Sequence, residues 1–223
     1  TDVHIDNICI KNVGSHGINS GTTKNLTVTN CEFGWIGGSW FRTDILSRFG
    51  NAIEIYGGCR NYICDHNYIY QIYDAGITHQ CKNPKGDILM CDIKYTDNLI
   101  EDTTYSIEYF LEKLCGDTES YMDGIEMSGN ILRHSGYGWG QQRHNTHTPA
   151  HIKGWSYTNK ASNYTVHDNI FDRAAYRMLH LVALEQESCP TMSGNTYIQY
   201  RGGKIGQYGG NKNGEPENMF FDS

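Results

Sequence analysis

The sequence predicts an all-β chain in which about seven short coils stack on one another in parallel, and three observations lead to it. Aligning Asn67, Asn98, Asn130, Asn169 and Asn195 superposes five segments that each read apolar-x-apolar-x-x-Asn-x-apolar. Two further segments, DNICIKNVGSHGIN and KNLTVTNCEFGWIGG, repeat the pattern with Val13 and Cys31 in the asparagine slot. The composition agrees: 12% aromatic residues, 25 Gly and only 4 Pro favour many short strands joined by tight turns over a helical bundle.

Each element follows from the alignment. Separations between aligned positions run from 18 to 39 residues, so strands are constant and loops vary. Alternating apolar residues in short runs indicate strand, and no run is long enough to bury its face unless like runs stack on it. One inward column is expected to hold Ile10, Val28, Cys64, Tyr95, Met127, Val166 and Met192. A second is expected to hold Phe33, Ile69, Ile100, Leu132, Phe171 and Tyr197. The asparagines should form an amide ladder at a bend, where side-chain amides satisfy turn backbone groups. Beyond that bend a third strand centres on Ile53, Ile77, Ile107, Ile152, Leu179 and Ile205.

A chain of 223 residues is expected to form one domain spanning 1–223. Its net charge of −7 argues against a nucleic-acid binder and against docking on an anionic membrane. No apolar run is long enough for a membrane span or a signal sequence. Eight cysteines are dispersed without a C-x-x-C pair, so no zinc cage is expected. Neither terminus has the polar or helical cover of a solenoid cap, which raises the expectation that coils precede Thr1.

The repeat resembles the right-handed parallel β-helix superfamily of pectate lyases, polygalacturonases and other glycoside hydrolases, over Asp2 to about Gln207. Within it, RFGNAIEIYGG followed by IYQIYDAGIT looks like the repeat pair of bacterial β-helix glycosidases of the xylosidase and fucosidase type. The polygalacturonase motifs Asn-Thr-Asp, Gly-Asp-Asp and Gly-His-Gly are missing. The resemblance implies a secreted or cell-surface bacterial enzyme acting on a poly- or oligosaccharide.

Alternation places Glu54, Thr78, Glu108, Lys153, His180 and Gly206 outward after the third-strand centres, and Ala52, Gly76, Ser106, His151, Met178 and Lys204 outward before them. Two long insertions, 37–50 and 138–150, are expected to rise as walls at either end of this face. Glycoside hydrolysis needs two carboxyl groups, so Asp74, Glu54 and Glu108 are the catalytic candidates. Asp74 is central because it sits one rung from each of the others. Substrate contacts are expected from His151, Lys153, His180, Arg143, Trp40 and Trp139, since aromatic faces stack on sugar rings and arginines bind hydroxyls or uronates.

Duller roles exist for each: Asp74 closing a turn before Gly76, Glu54 and Glu108 as solvated outer positions, and the histidines as solvent-facing residues without a ligand role. No cofactor or metal is expected for a hydrolase. The alternative enzyme is a polysaccharide lyase, with Lys153 or Arg143 as base and Ca²⁺ held by acids such as Asp92, Asp97, Glu101 and Asp102. A non-catalytic carbohydrate-binding or structural coil is the remaining class.

Overall fold

The computed structural model describes residues 2–42, 47–112, 119–142, 149–155, 158–181, 184, 188–208 and 218–222. The protein is all-β, 67% strand against 2% helix, with its strands in long parallel sheets. A seven-stranded sheet stacks Val3–Asp6, Lys24–Thr29, Arg60–Asp65, Leu89–Thr96, Tyr121–Ser128, Ala161–His167 and Thr191–Ser193 as a first column. A thirteen-stranded sheet supplies two more. Its second column runs Cys9–Val13, Glu32–Ile36, the start of Tyr68–Cys81, the start of Leu99–Leu111, Ile131–Ser135, Ile170–Ala174, Thr196–Tyr200 and Asn218–Asp222. Its third runs Ile18–Gly21, Ile53–Tyr56, the ends of the two long strands, Ala150–Gly154, Arg177–Leu181 and Lys204–Tyr208. Among the described residues the strands of successive repeats pair in parallel; the short hairpin of Trp40–Arg42 with Ser47–Arg48 and an isolated bridge between Glu112 and Thr158 are antiparallel.

The inward columns form a continuous core. Phe33, Ile69, Ile100, Leu132, Phe171 and Tyr197 stack in register, and Val28 through Met192 do likewise. Two memberships differ from the sequence expectation. Ile10 pairs with Phe33 in the second column, and Ile5 takes its place beneath Val28. The first repeat therefore has Ile8, not Val13, in the asparagine slot, because Glu32 N–H donates to Ile8 O as Leu99 N–H does to Asn67 O. Ile5, Ile10 and Val13 all belong to alternating runs, so a five-residue slip keeps an apolar pattern. In the last repeat Leu179 pairs with Gly206 rather than Ile205, and Gly206 adopts a left-handed φ of 116°.

The asparagine ladder stands as expected. The Oδ1 of Asn98 accepts from both the backbone N–H and the Nδ2 of Asn67, each at 3.0 Å. Asn130, Asn169 and Asn195 do the same for the residue one repeat earlier. Each Nδ2 also donates to a main-chain carbonyl of the preceding repeat, Asn98 to Cys64 O at 2.9 Å. The residue before each slot is left-handed: Asn7, Asn30, His66, Asp97, Gly129, Asp168 and Gly194. Those residue types tolerate positive φ best, and a Cβ at Gly129 would meet the Asp97 carboxylate at 2.1 Å.

Around His79, polar groups inside the core are paired with one another. His79, fully buried, meets Tyr95 Oη with Nδ1 and Tyr164 Oη with Nε2, both at 3.0 Å, and lies parallel to the Tyr109 ring. Burial pushes its imidazole down to about 3, so it is neutral. Cys9, Cys31, Cys59, Cys64, Cys81 and Cys91 are free thiols. No described helix is long and apolar enough to cross a membrane.

Two stability outcomes follow. Ile69→Ala or Ile100→Ala removes a fully buried side chain from an in-register column and should cost about 2 to 5 kcal/mol in denaturant unfolding. Asn98→Leu strips the acceptor from the buried Asn67 N–H and the donor from Cys64 O, and should cost roughly 2 to 5 kcal/mol. A cost below about 1 kcal/mol for Asn98→Leu would show that the ladder is incidental to folding.

Candidate active site

The third column positions a line of polar side chains. Strand pairing puts Asn19 beside Glu54, Glu54 beside Thr78, Thr78 beside Glu108, Glu108 beside Lys153 and Lys153 beside His180. These residues follow the apolar centres, as alternation requires, and the pairing passes to Gln207 rather than Gly206 in the last repeat. Neighbouring parallel strands lie about 4.8 Å apart, which sets the spacing along the line.

Glu54 and Glu108 occupy unlike surroundings. Glu54 is partly exposed and accepts from Asn51 Nδ2 at 2.7 Å and Asn19 Nδ2 at 3.3 Å, with His16 Nδ1 at 3.2 Å. It borders an open cleft of about 500 Å³ shared with Ser15, His16, Asn19 and Tyr56. Glu108 is 5% exposed and accepts from the Trp155 indole at 2.5 Å. Desolvation pushes its carboxyl up to about 7; the Trp155 hydrogen bond and the Lys153 charge act the other way, and the Glu54 charge adds to the rise. Between them, Thr78 is fully buried and its hydroxyl has no hydrogen-bond partner.

Lys153 is 7% exposed, with its ammonium 4.5 Å from the centroid of the Trp155 ring. Burial draws its amine down to about 8, against the opposing pull of Glu108. Asp74 is 4% exposed and sits on the bend leading into the strand of Thr78. Asn51 ties that bend to Glu54: its Oδ1 accepts from Ala75 N–H at 2.8 Å while its Nδ2 holds Glu54.

His151 is corrected. Its side chain is fully buried, edge-on to the core ring of Phe171 at 5.9 Å, and its Nδ1 meets Ser106 Oγ at 3.1 Å. Burial lowers its imidazole to about 3. It is an interior residue and leaves the set of substrate contacts. Gly76 likewise faces inward, since a Cβ there would meet Ile100 Cγ2 at 2.7 Å. The register shift between Ile72 and Ala75 turns the chain at the corner, so side chains on both sides of it point inside.

The two insertions meet each other instead of standing at opposite ends. The Gly138–Gln142 turn lies across Gln71, whose Oε1 accepts from Trp139 N–H at 2.7 Å. A Cβ at Gly38 would meet the Trp139 ring at 2.8 Å, and the Arg48 guanidinium sits 4.8 Å from the centroid of the Tyr73 ring. Both insertions thus close over Tyr73, next to Asp74. Arg143 and the side chain of Trp40 lie outside the described residues.

Asn19, Asn51, His16 and Trp155 escape the sequence reading. Asn19 is hidden by the misaligned first repeat. Trp155 lies two residues after Lys153, just past the end of its strand, where continued alternation could have indicated it. For a lyase, a cation would need clustered acids near Lys153. Asp65, His66 and Asp97 do bring ligand atoms within 4.8 Å of one another, but at the turn between the first and second columns. The chain matches no protein-family model, no curated protein and no solved structure in the three comparisons made.

Proposed function

We propose that the stacked sheets are a right-handed parallel β-helix and that the protein is a glycoside hydrolase acting on a poly- or oligosaccharide. The handedness follows the rule for parallel crossovers. The observation that carries the function is the Glu54–Thr78–Glu108 line: two carboxyl groups separated by one small residue, one shielded and proton-retaining, the other accepting hydrogen bonds beside an open cleft. Environments that drive two carboxyls apart assign acid and base roles. Glu108 then donates the proton to the leaving oxygen, and Glu54 draws a proton from the attacking water. Two strand spacings, about 9 to 10 Å, fit an inverting pair. Asp74 is the third carboxyl beside this line; a product of retained anomeric configuration would make it the nucleophile instead.

A lyase is the second reading, favoured by Lys153, whose buried amine is drawn towards neutral pH as a proton-abstracting base requires. It predicts unsaturated products and loss of activity on Lys153→Met.

The test is a panel of defined oligosaccharides with product anomers followed by NMR. Glu108→Gln should lower kcat by about 10² to 10⁴ on substrates with poor leaving groups and much less on activated aryl glycosides. Glu54→Gln should lower kcat on both, and Asp74→Asn should do so only if the product retains its configuration. Full activity in all three variants on a substrate cleaved by the native chain would remove the assignment.

The acid role also fixes a pH dependence. Because the Glu108 pKa is raised, kcat/KM should fall as pH rises through about 7. The same shift acts on stability with a defined sign. Between the ordinary carboxyl range and about 7 the folded state holds a proton that the unfolded state releases, so this group makes the fold less stable as pH rises. Glu108→Gln should therefore be roughly 1 to 3 kcal/mol more stable than the native chain at pH 8 while losing turnover. A variant that is both less stable at pH 8 and fully active would assign Glu108 to structure alone.

A further inference from the structure

We propose that Trp35 and Trp139 form a sugar-stacking platform on which an extended saccharide rests before it reaches the carboxylate line, an inference that builds on the glycoside hydrolase reading. Trp35 is out of place by every structural criterion. It is 47% exposed and holds a left-handed φ of 56°, a conformation a bulky side chain rarely adopts. The residues stacked with it at this bend are Asn12, Gln71, Asp102, His134 and Arg173, all polar and all left-handed. A tryptophan here leaves nearly half of its surface exposed and relieves no strain. Backbone strain of this kind collects at binding sites.

The second tryptophan is brought to it on purpose-built backbone. Gly138 has a left-handed φ of 59°, and a Cβ there would come 2.5 Å from Gln71 Oε1, so only glycine lets the insertion lie this low. Trp139 then stands 5.9 Å from Trp35 at 42°, backed edge-on by Tyr73. The two indoles and Gln71 line an open cleft of about 440 Å³. The Gln71 Nε2 donates to Asp102 Oδ2 at 3.1 Å, which holds the polar rim in place. Apolar faces bordered by fixed amide and carboxylate groups match a sugar ring, apolar on its face and hydroxylated at its edge.

The platform spans the repeats that carry Glu54 and Glu108, across the bend from them. Seven residues and the corner between Ile72 and Ala75 separate Gln71 from Thr78, so a ligand that meets both the platform and the carboxylate line has to run around that corner. An oligosaccharide or longer chain has that reach.

Isothermal titration calorimetry on the Glu108→Gln chain with xylohexaose, cellohexaose and hexagalacturonate tests this without turnover. At least one hexamer should bind, and Trp35→Asn in that background should raise its Kd at least tenfold. Asparagine is at home at positive φ, so Trp35→Asn should also melt no lower than its parent. A Kd within twofold of the parent, or no binding by any of the three hexamers, overturns the platform. Weakened binding together with no hydrolysis of that hexamer by the native chain would leave the platform standing and remove the hydrolase assignment.

Discussion

In five successive repeats a buried amide closes the turn between the first and second strand columns, and the rest of the structure depends on it. A single repeat buries too little apolar surface to fold alone, so each must find its neighbour in register. Apolar columns favour stacking but not one register, since a slip of two residues preserves the alternation. The ladder removes that freedom. Each Oδ1 takes two donors from the repeat before it, and each Nδ2 reaches a main-chain carbonyl there, so a slip would leave several buried polar groups without partners. Register fixed at this corner carries along the strands and around the bend to the third column, where it aligns Glu54, Thr78, Glu108 and Lys153.

The third column uses that register differently. In-register stacking elsewhere sets like on like: asparagine on asparagine, isoleucine on isoleucine. Here unlike groups adjoin, and burial makes their chemistry depend on one another. Glu108 and Lys153 both lose hydration, which draws a carboxyl and an amine towards neutral pH from opposite sides, while their attraction limits each shift. Each carries a desolvation cost that their mutual attraction only partly offsets, so the pair is a local liability to folding.

The fold was largely legible because its signal is a polar residue at a constant offset from an alternating run. Legibility failed where that signal lapsed. Ile8 in the asparagine slot looks like core, so the first repeat was set five residues out and Asn19 was lost from the site. The residues before the slot, His66, Asp97, Gly129, Asp168 and Gly194, spelled out a left-handed position that could have been read from residue type. The candidate line of Glu54, Thr78, Glu108, Lys153 and His180 was readable because it needs only alternation within a strand. His151 was misplaced because alternation does not hold at the start of its strand, where the side chain before Ile152 packs inward beside Phe171. The meeting of the two insertions over Tyr73 was not legible at all: a loop's path is set by contacts such as Gly38 with Trp139, and no periodicity encodes them.

A stacked parallel sheet offers catalytic carboxyls only certain separations. Groups at equivalent positions lie one, two or three strand spacings apart, about 4.8, 9.6 or 14.4 Å before side-chain tilt. The first value is close to that of a retaining glycosidase pair and the second to that of an inverting pair. Which one a sequence uses is decided by the residue between. Thr78 between Glu54 and Glu108 imposes the wider spacing. On the hydrolase proposal, stereochemistry of bond cleavage is a matter of counting repeats, and the count of two between Glu54 and Glu108 predicts inversion.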